Sequence, residues 1–266
     1  MQKGKGRQVK AFIYCNPNNP LGDIYGEQTT LDLMRVCKKY QIHFISDEIY
    51  ALSVHDKSQA FQRQLQKVEY FKTLNIKLLL CSVLSIKELP DRERTHFIWG
   101  LSKDFGLAHF RMGVMYSWNA ALIKAMDSMC LYTCVQGHIQ EISRKMLLDT
   151  QWLDETYFPE NLKRLGVAYD NCRSFFESFG CRVRPSKAGL FAWIDFSPFF
   201  KRPEITAEDE KELFVNLMNN YKIYIPNGTE FGAKDPGWFR VIFAIRPDRW
   251  QEFCRRFRKF VTENSG

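Results

Sequence analysis

The first fifty residues constrain the fold most strongly, because they alternate between buried-strand and helix patterns. Residues 9–15 (VKAFIYC) form a short apolar run that ends in the turn-rich segment 16–22, NPNNPLG. Residues 27–40 place apolar side chains along one helical stripe, and residues 43–46 (HFIS) form a second apolar run. A strand, a helix and a strand in this order make a βαβ unit. The sequence therefore predicts a parallel sheet with functional residues at the carboxyl ends of its strands.

The middle of the chain continues this pattern. Residues 95–100 and 112–118 predict two more strands, and residues 120–179 predict a largely helical stretch that is interrupted near Pro159. We therefore predict an α/β chain whose first domain, residues 1–165, has a mostly parallel sheet with helices.

The texture of the sequence changes after Gly180, where short apolar runs alternate with helical patterns. Residues 166–266 therefore predict a smaller α+β domain at the carboxyl end. Its predicted strands lie at Val183, 190–194, 223–225 and 239–244, and its predicted helices lie at 208–219 and 249–261.

Composition excludes several classes of protein. The net charge is +8, but the basic residues are spread along the chain and no zinc-finger, RNA-recognition or basic-zipper pattern accompanies them, so we expect no nucleic-acid partner. The apolar run 76–86 contains Lys77 and is too short to cross a bilayer, so we expect no membrane insertion. The eight cysteines form no CxxC pair, and no metal site is predicted. Reduced thiols and the lack of a secretory leader favour a cytoplasmic location.

Six polar residues lie at predicted strand ends or in the adjoining loops. Such groups suit an aldehyde cofactor with a pyridine ring and a phosphate. A lysine can form a Schiff base, a carboxylate can keep a ring nitrogen protonated, and an arginine can neutralise phosphate. Taken singly, each residue also has an ordinary structural interpretation, such as a helix cap or core packing. The six are Asn19, Asp47, Tyr50, Lys103, Arg111 and Arg240.

Four ordered motifs carry a family resemblance: NPNNPLG, SDEIY, LSKDFGLAHFRMG and DPGWFRVIFA. Together they closely resemble class I aminotransferases of fold type I. The segments ENLKRL, AGLFAWID and PGWFR are most similar to the 1-aminocyclopropane-1-carboxylate synthases and the animal proteins similar to them. The resemblance covers residues 9–261 except 56–90. It implies pyridoxal 5'-phosphate as cofactor, an amino-acid substrate whose α-carboxylate Arg240 would bind, and a homodimer in a full-length form.

The resemblance also gives the other five residues a role. Lys103 would form the Schiff base with the cofactor and move the α-proton of the substrate. Asp47 would pair with the pyridinium nitrogen. Tyr50 and Asn19 would contact the phenolic oxygen of the ring, and Arg111 would bind the phosphate.

Three departures from the family pattern limit the expected activity. The resemblance places the start of this sequence just before the NPNNP strand, so we expect the family's amino-terminal half of the large domain to lie outside residues 1–266. Gly100 stands where the family has a serine or threonine that bonds the phosphate, and an insertion lies near residues 62–81. We therefore expect an aminotransferase or cyclopropane-synthase-like protein in an amino-terminally truncated form with weak or no catalysis. The alternative is a non-catalytic relative that serves as an interaction or regulatory module.

Overall fold

The computed structural model describes residues 8–56, 65–67, 77–79, 82–200, 202 and 204–264. The chain divides into two compact units. The first extends to Glu160 but leaves out Asn19–Gly22, and the second joins Asn19–Gly22 to the residues from Asn161 onward. The domain assignment 1–165 and 166–266 stays a prediction. Most of the predicted insertion at 62–81 lies outside the described residues.

A four-stranded sheet organises the first unit. Its strand order is β1-β2-β5-β6, with β1, β2 and β5 parallel and β6 antiparallel to β5. The predicted α/β class with a mostly parallel sheet is thereby confirmed. Two further short strands pair with each other in a separate antiparallel hairpin. The strands are β1 (Ala11–Cys15), β2 (His43–Asp47), β3 (Leu65–Lys67), β4 (Lys77–Leu79), β5 (Thr95–Gly100) and β6 (Gly113–Ser117).

The first helix, α1 (Glu27–Lys39), completes the predicted βαβ unit between β1 and β2. Its apolar stripe buries Met34 and Cys37, which share one core with Phe44 of β2 and Phe97 of β5. Both phenylalanines are at most 1% exposed, and full burial of such a side chain contributes about 1.5–3 kcal/mol. The core therefore fixes the register that brings the ends of β2 and β5 together.

The stretch after β6 is helical, as predicted. The predicted interruption near Pro159 corresponds to a π-helical segment, Leu153–Tyr157, which directly precedes the 20-residue helix that contains Pro159. Two further breaks, at Cys134 and at Asp149, were not predicted. The helices of the first unit and the following segment are α2 (Leu101–Asp104), α3 (Ala120–Thr133), α4 (Gly137–Leu148), α5 (Thr150–Trp152) and α6 (Phe158–Glu177).

The second unit contains an antiparallel three-stranded sheet with helices against it. Phenylalanine fills much of its core: Phe196 and Phe239 stack at 4.6 Å between ring centroids, and Phe257 is fully buried beside them. The predicted α+β texture is therefore present. Its elements are β7 (Arg182–Arg184), β8 (Phe191–Asp195), α7 (Ala207–Tyr221), β9 (Trp238–Ile242) and α8 (Pro247–Asn264).

One predicted strand of the second unit, residues 223–225, is wrong. Ile223 and Ile225 are buried in the core, but the backbone there follows the end of α7, and the Ile223 N–H donates to the Leu217 carbonyl at 3.0 Å. Lys222 adopts the left-handed conformation that ends helices. The alternating apolar pattern thus reflects burial without sheet pairing.

Among the described helices, none combines the length and the apolar character that crossing a bilayer requires.

Gly22 attaches Asn19–Gly22 to the second unit. Its carbonyl accepts hydrogen bonds from the backbone N–H groups of Lys187 and Ala188, both at 3.1 Å. Its φ of +67° lies in the left-handed region, and an added Cβ would lie 1.9 Å from the Ser186 hydroxyl oxygen and 2.6 Å from the Ala188 carbonyl oxygen. Glycine is therefore required here by both conformation and space.

We expect Gly22→Ala to lower the free energy of unfolding of the second unit by about 2–4 kcal/mol, because backbone strain and the clash add. Gly180→Ala is the matched control in the same unit, because Gly180 also has a positive φ but has nothing within 4 Å of an added Cβ. That variant should lose only about 1 kcal/mol. Urea unfolding followed by tryptophan fluorescence measures both, and equal losses would contradict the clash.

Candidate functional site

Four of the six predicted site residues lie at one edge of the sheet in the first unit. Asp47 ends β2, and β5 ends at Gly100, directly before the short helix that carries Lys103. Since β2 and β5 are parallel, their carboxyl ends meet at the same edge. Arg111 precedes β6, which begins at that edge because Gly100 pairs with Gly113. Tyr50 follows β2 in the next turn.

The Asp47 carboxylate is half-buried, and one of its oxygens accepts the Ile49 backbone N–H at 3.2 Å. Burial raises the pKa of Asp47 above its ordinary value, and this hydrogen bond offsets the effect only in part. A cationic group facing the carboxylate would therefore stabilise its charged form. Tyr50, three residues later, is buried at 6% exposure.

Lys103 and Arg111 are both exposed in the first unit. A lysine that forms a Schiff base typically has a buried amine, whereas the described residues of the first unit leave Lys103 exposed. Arg111 adopts a left-handed backbone conformation (φ 51°, ψ 34°), and its guanidinium donates to the Ala108 carbonyl at 3.1 Å. Positive φ is uncommon for a residue with a side chain, and it tends to occur where a site fixes the backbone.

Gly100 packs so closely against β6 that a side chain has no space. A Cβ added to Gly100 would lie 2.9 Å from the Met112 carbonyl oxygen and 3.2 Å from the Gly113 Cα. The backbone of Gly100 is extended, so the constraint is one of contact alone. Gly100 therefore differs from the family pattern in two ways. It has no hydroxyl, and the neighbouring backbone leaves no space for a side chain that would carry one.

An open hollow of about 840 Å³ lies beside these residues in the first unit. Gly100, Arg111 and Met112 line it together with Trp99 and Arg144. Its size is within the range of small-molecule sites. No group of three or more metal-ligating side chains occurs among the described residues.

Sequence reasoning missed the buried carboxylate next to the lysine. Asp104 is 1% exposed and accepts three hydrogen bonds: from Ser53 Oγ at 2.6 Å, Trp99 Nε1 at 2.8 Å and the Leu52 N–H at 3.1 Å. Burial raises the pKa of Asp104 to about 7 despite these bonds. Its backbone carbonyl also accepts the Tyr157 hydroxyl at 2.8 Å. The donors come from the end of β5 and from the loop after β2, so Asp104 joins the two strand ends.

A second buried carboxylate follows Asp47 directly. Glu48 is 2% exposed and accepts bonds from Ser46 Oγ and from the Val83 N–H, both at 2.9 Å. Burial raises the pKa of Glu48 to about 7. The adjacency of an acidic residue to each of Asp47 and Lys103 is visible in the sequence, but nothing in the sequence shows that these acids are buried.

The other two predicted residues belong to the second unit. The Arg240 guanidinium, on β9, donates to the Asn19 side-chain oxygen at 2.9 Å. It also lies over two rings, 4.5 Å from the centroid of Phe231 and 5.5 Å from that of Phe191. Asn19 is thus a partner of Arg240, and its predicted contact with a cofactor ring stays a prediction.

Comparison with known proteins gives the family of the chain. The model of the class I and II aminotransferases matches residues 2–257. The chain belongs to the class I and II aminotransferase family. It is 33% identical to the 1-aminocyclopropane-1-carboxylate synthase-like protein 1 of Mus musculus, over 98% of this chain and 48% of that protein. It is also 33% identical to the "probable inactive" synthase-like protein 2 of Homo sapiens, over 97% of this chain and 42% of that protein.

Solved structures show the same fold. An aromatic aminotransferase of Pyrococcus horikoshii matches with a TM-score of 0.74 at 19% identity, over 96% of this chain and 61% of that one. An alanine aminotransferase of Pyrococcus furiosus matches with a TM-score of 0.71 at 22% identity, over 96% and 58%. This member of the family thus has the fold of these enzymes and spans about half the length of the curated relatives it matches.

The Asp104 site predicts how stability depends on pH. The pKa of the carboxyl rises from 3.8 when unfolded to about 7 when folded, so the folded state binds the proton more tightly. Its contribution to stability is fully present below about pH 4 and is lost as the pH rises through about 7. We expect Asp104→Asn to flatten this decline by about 2–4 kcal/mol, because an amide can donate to Ser53 Oγ and accept the other two bonds.

Urea unfolding across this pH range measures the difference between Asp104→Asn and the natural chain. Asp127→Asn is the control, since Asp127 lies on α3 and is exposed. Parallel pH profiles for the natural chain and Asp104→Asn would show that the carboxyl does not titrate in this way.

Proposed function

We propose that this chain contributes the lysine, the ring-nitrogen carboxylate and one phosphate ligand to a pyridoxal-phosphate site of the aminotransferase or cyclopropane-synthase-like type, acting on amino acids. The observation that carries the proposal is the placement of Asp47, Lys103 and Arg111 at one edge of one sheet, in a chain of the aminotransferase family. Solvent-accessible edges at strand carboxyl ends are where α/β proteins bind cofactors.

The residues present suit this cofactor chemically. Burial raises the pKa of Asp47, so its ionised form needs a cation, and a protonated pyridine nitrogen is such a cation. Lys103 offers an exposed primary amine, and Arg111, which carries a guanidinium, is one of the residues that line an open hollow. Carboxylate, amine and guanidinium are the three groups that the ring, the aldehyde and the phosphate require.

When bound, the cofactor supplies an electron sink for the carbanion that forms at the α-carbon of an amino acid. Asp47 would hold the proton on the ring nitrogen, and Tyr50 and Asn19 would donate to the phenolic oxygen. Lys103 Nζ would hold the cofactor and carry the α-proton. Arg111 would bind the phosphate.

Arg240 would bind the α-carboxylate of the substrate through its planar fork of N–H donors. One of those donors already forms a hydrogen bond with the Asn19 side-chain oxygen at 2.9 Å, which limits the rotation of the guanidinium. Transamination and ring-closing elimination both begin by removal of the α-proton, so the same residues serve either reaction. We include in the proposal a homodimer for the full-length protein and a cytoplasmic location.

The first test is addition of pyridoxal phosphate to the purified chain, followed by borohydride reduction and peptide mass spectrometry. We expect an ultraviolet–visible absorption band from the bound cofactor and a reduced adduct on Lys103. Lys103→Ala should abolish both, because among the six predicted site residues Lys103 is the one that carries an amine. Lys124→Ala, an exposed lysine on α3, should retain both. An adduct spread over many lysines, with none favoured, would refute the proposed site.

A second candidate function is a non-catalytic relative that serves as an interaction or regulatory module. The close packing of Gly100 favours it, since the Met112 carbonyl at 2.9 Å occupies the space of a side chain at that position. A phosphate ligand supplied by a serine or threonine there is thus excluded unless β6 moves. If the chain binds the cofactor phosphate only weakly, it keeps the fold of the family without the catalysis.

We expect Gly100→Ser to lower the free energy of unfolding by about 1–3 kcal/mol and to leave cofactor affinity no higher, because the added Cβ meets backbone. Gly113→Ala is the matched control on the paired strand, since its added Cβ meets only the Trp99 carbonyl at an ordinary 3.4 Å. Urea unfolding and titration with pyridoxal phosphate give the two measurements. A rise in cofactor affinity of about tenfold would instead show that only the hydroxyl was missing.

A further inference from the structure

We propose that Glu210 is a positioning residue: it fixes the turn Gly228–Phe231 and thereby sets the orientation of the Arg240 guanidinium. The inference concerns residues of the second unit only. Its consequence for substrate rests on the proposed function, in which Arg240 binds an amino-acid carboxylate.

Glu210 lies on α7 and is completely buried. Its carboxylate accepts four hydrogen bonds. One oxygen accepts the N–H groups of Gly228 at 3.0 Å and Gly237 at 3.2 Å. The other accepts the Thr229 N–H and the Asn227 side-chain amide, both at 3.2 Å. Hydrogen bonds to a charged group are about twice as strong as neutral ones, so this carboxylate holds both ends of the loop 227–237.

The partners that the described residues give the Glu210 carboxylate are these N–H donors. Within the described part of the chain Glu210 forms no ion pair, whereas three partly buried acids of the second unit, Asp195, Asp209 and Glu252, pair with arginine. A buried ionised group without a cation is costly unless its lone pairs are fully bonded. Such an arrangement fixes backbone geometry more strictly than a surface ion pair does, because each donor is part of the main chain or of a short amide.

The turn transmits this constraint to Arg240. Gly228 is wedged in place, since a Cβ there would lie 2.8 Å from the Trp238 carbonyl oxygen and 3.2 Å from a Glu210 oxygen. The same turn ends at Phe231, whose ring lies 4.5 Å from the Arg240 guanidinium carbon. A guanidinium over an aromatic face is held by the quadrupole of the ring. Displacement of the turn would therefore remove the contact with the Phe231 ring and leave the guanidinium held by its hydrogen bond to Asn19.

Substitution by glutamine separates this role from simple packing. Each Glu210 oxygen accepts two bonds, so in Glu210→Gln the NH₂ group must face two N–H donors in either orientation of the amide. The shape is conserved while one end of the turn is repelled. Glu212→Gln is the matched control, because Glu212 lies on the same helix and is exposed.

The experiment uses the whole chain labelled with ¹⁵N-arginine, and the Arg240 side-chain signal is assigned by its absence in Arg240→Lys. Without ligand, we expect Glu210→Gln to shift and broaden that signal and Glu212→Gln to leave it unchanged. Phe231→Leu removes the ring without touching the buried carboxylate, and it should shift the signal as well. An unshifted signal in Glu210→Gln, or a shift in Glu210→Gln with none in Phe231→Leu, would overturn the inference.

Titration with L-alanine then tests the consequence for substrate. In the natural chain the Arg240 signal should move saturably, and Glu210→Gln should weaken the apparent affinity by about tenfold while Glu212→Gln does not. If L-alanine leaves the signal of the natural chain unmoved, the proposed carboxylate role of Arg240 fails. The unliganded spectra still decide the positioning role, so the two failures are distinguishable.

Discussion

The carboxylate of Asp104 is the interaction on which the sheet edge of the first unit depends. Donors from β5, through Trp99, and from the loop after β2, through Leu52 and Ser53, converge on one side chain that water does not reach. Asp104 therefore determines where the neighbouring Lys103 can lie. Burial raises the pKa of Asp104 to about 7, which means that the arrangement is maintained at a cost in stability near neutral pH. Costs of this kind are typical where a protein fixes side chains for function.

A buried acid that supports a proposed site residue occurs in both units. Asp47 is followed by the buried Glu48, Lys103 by the buried Asp104, and Arg240 is reached through a turn that the buried Glu210 fixes. In each case the acid accepts hydrogen bonds from backbone N–H groups and from side chains, and the functional group itself remains accessible or half-exposed. A buried acceptor with several donors defines backbone position without occupying the site, which leaves the adjoining residue available for a ligand.

Structural features that have a local cause in the sequence could be predicted, and features that depend on distant residues could not. The βαβ unit and the helices α7 and α8 followed from periodicity, because the pattern of one face determines its burial. Residues 223–225 carried a strand pattern yet follow a helix end, since core burial imposes alternation with or without pairing. The burial of Asp104, Glu48 and Glu210 was beyond sequence reasoning, because donors distant along the chain decide whether an acid can be buried. The Asn19–Arg240 bond joins residues at opposite ends of the sequence for the same reason.

Gly100 and Lys103 together indicate where the site of this chain is weakest. Asp47 is already desolvated by the first unit, so the ring-nitrogen side of the proposed site is formed by described residues. Lys103 is exposed, and an amine that acts as a base needs a drier environment than the described part of the first unit gives it. At Gly100 the carbonyl oxygen of Met112, directly before β6, lies 2.9 Å from where a Cβ would lie. The packing of β5 against the start of β6 therefore leaves no space for a serine or threonine side chain at Gly100, and we expect a single substitution there not to restore a phosphate ligand.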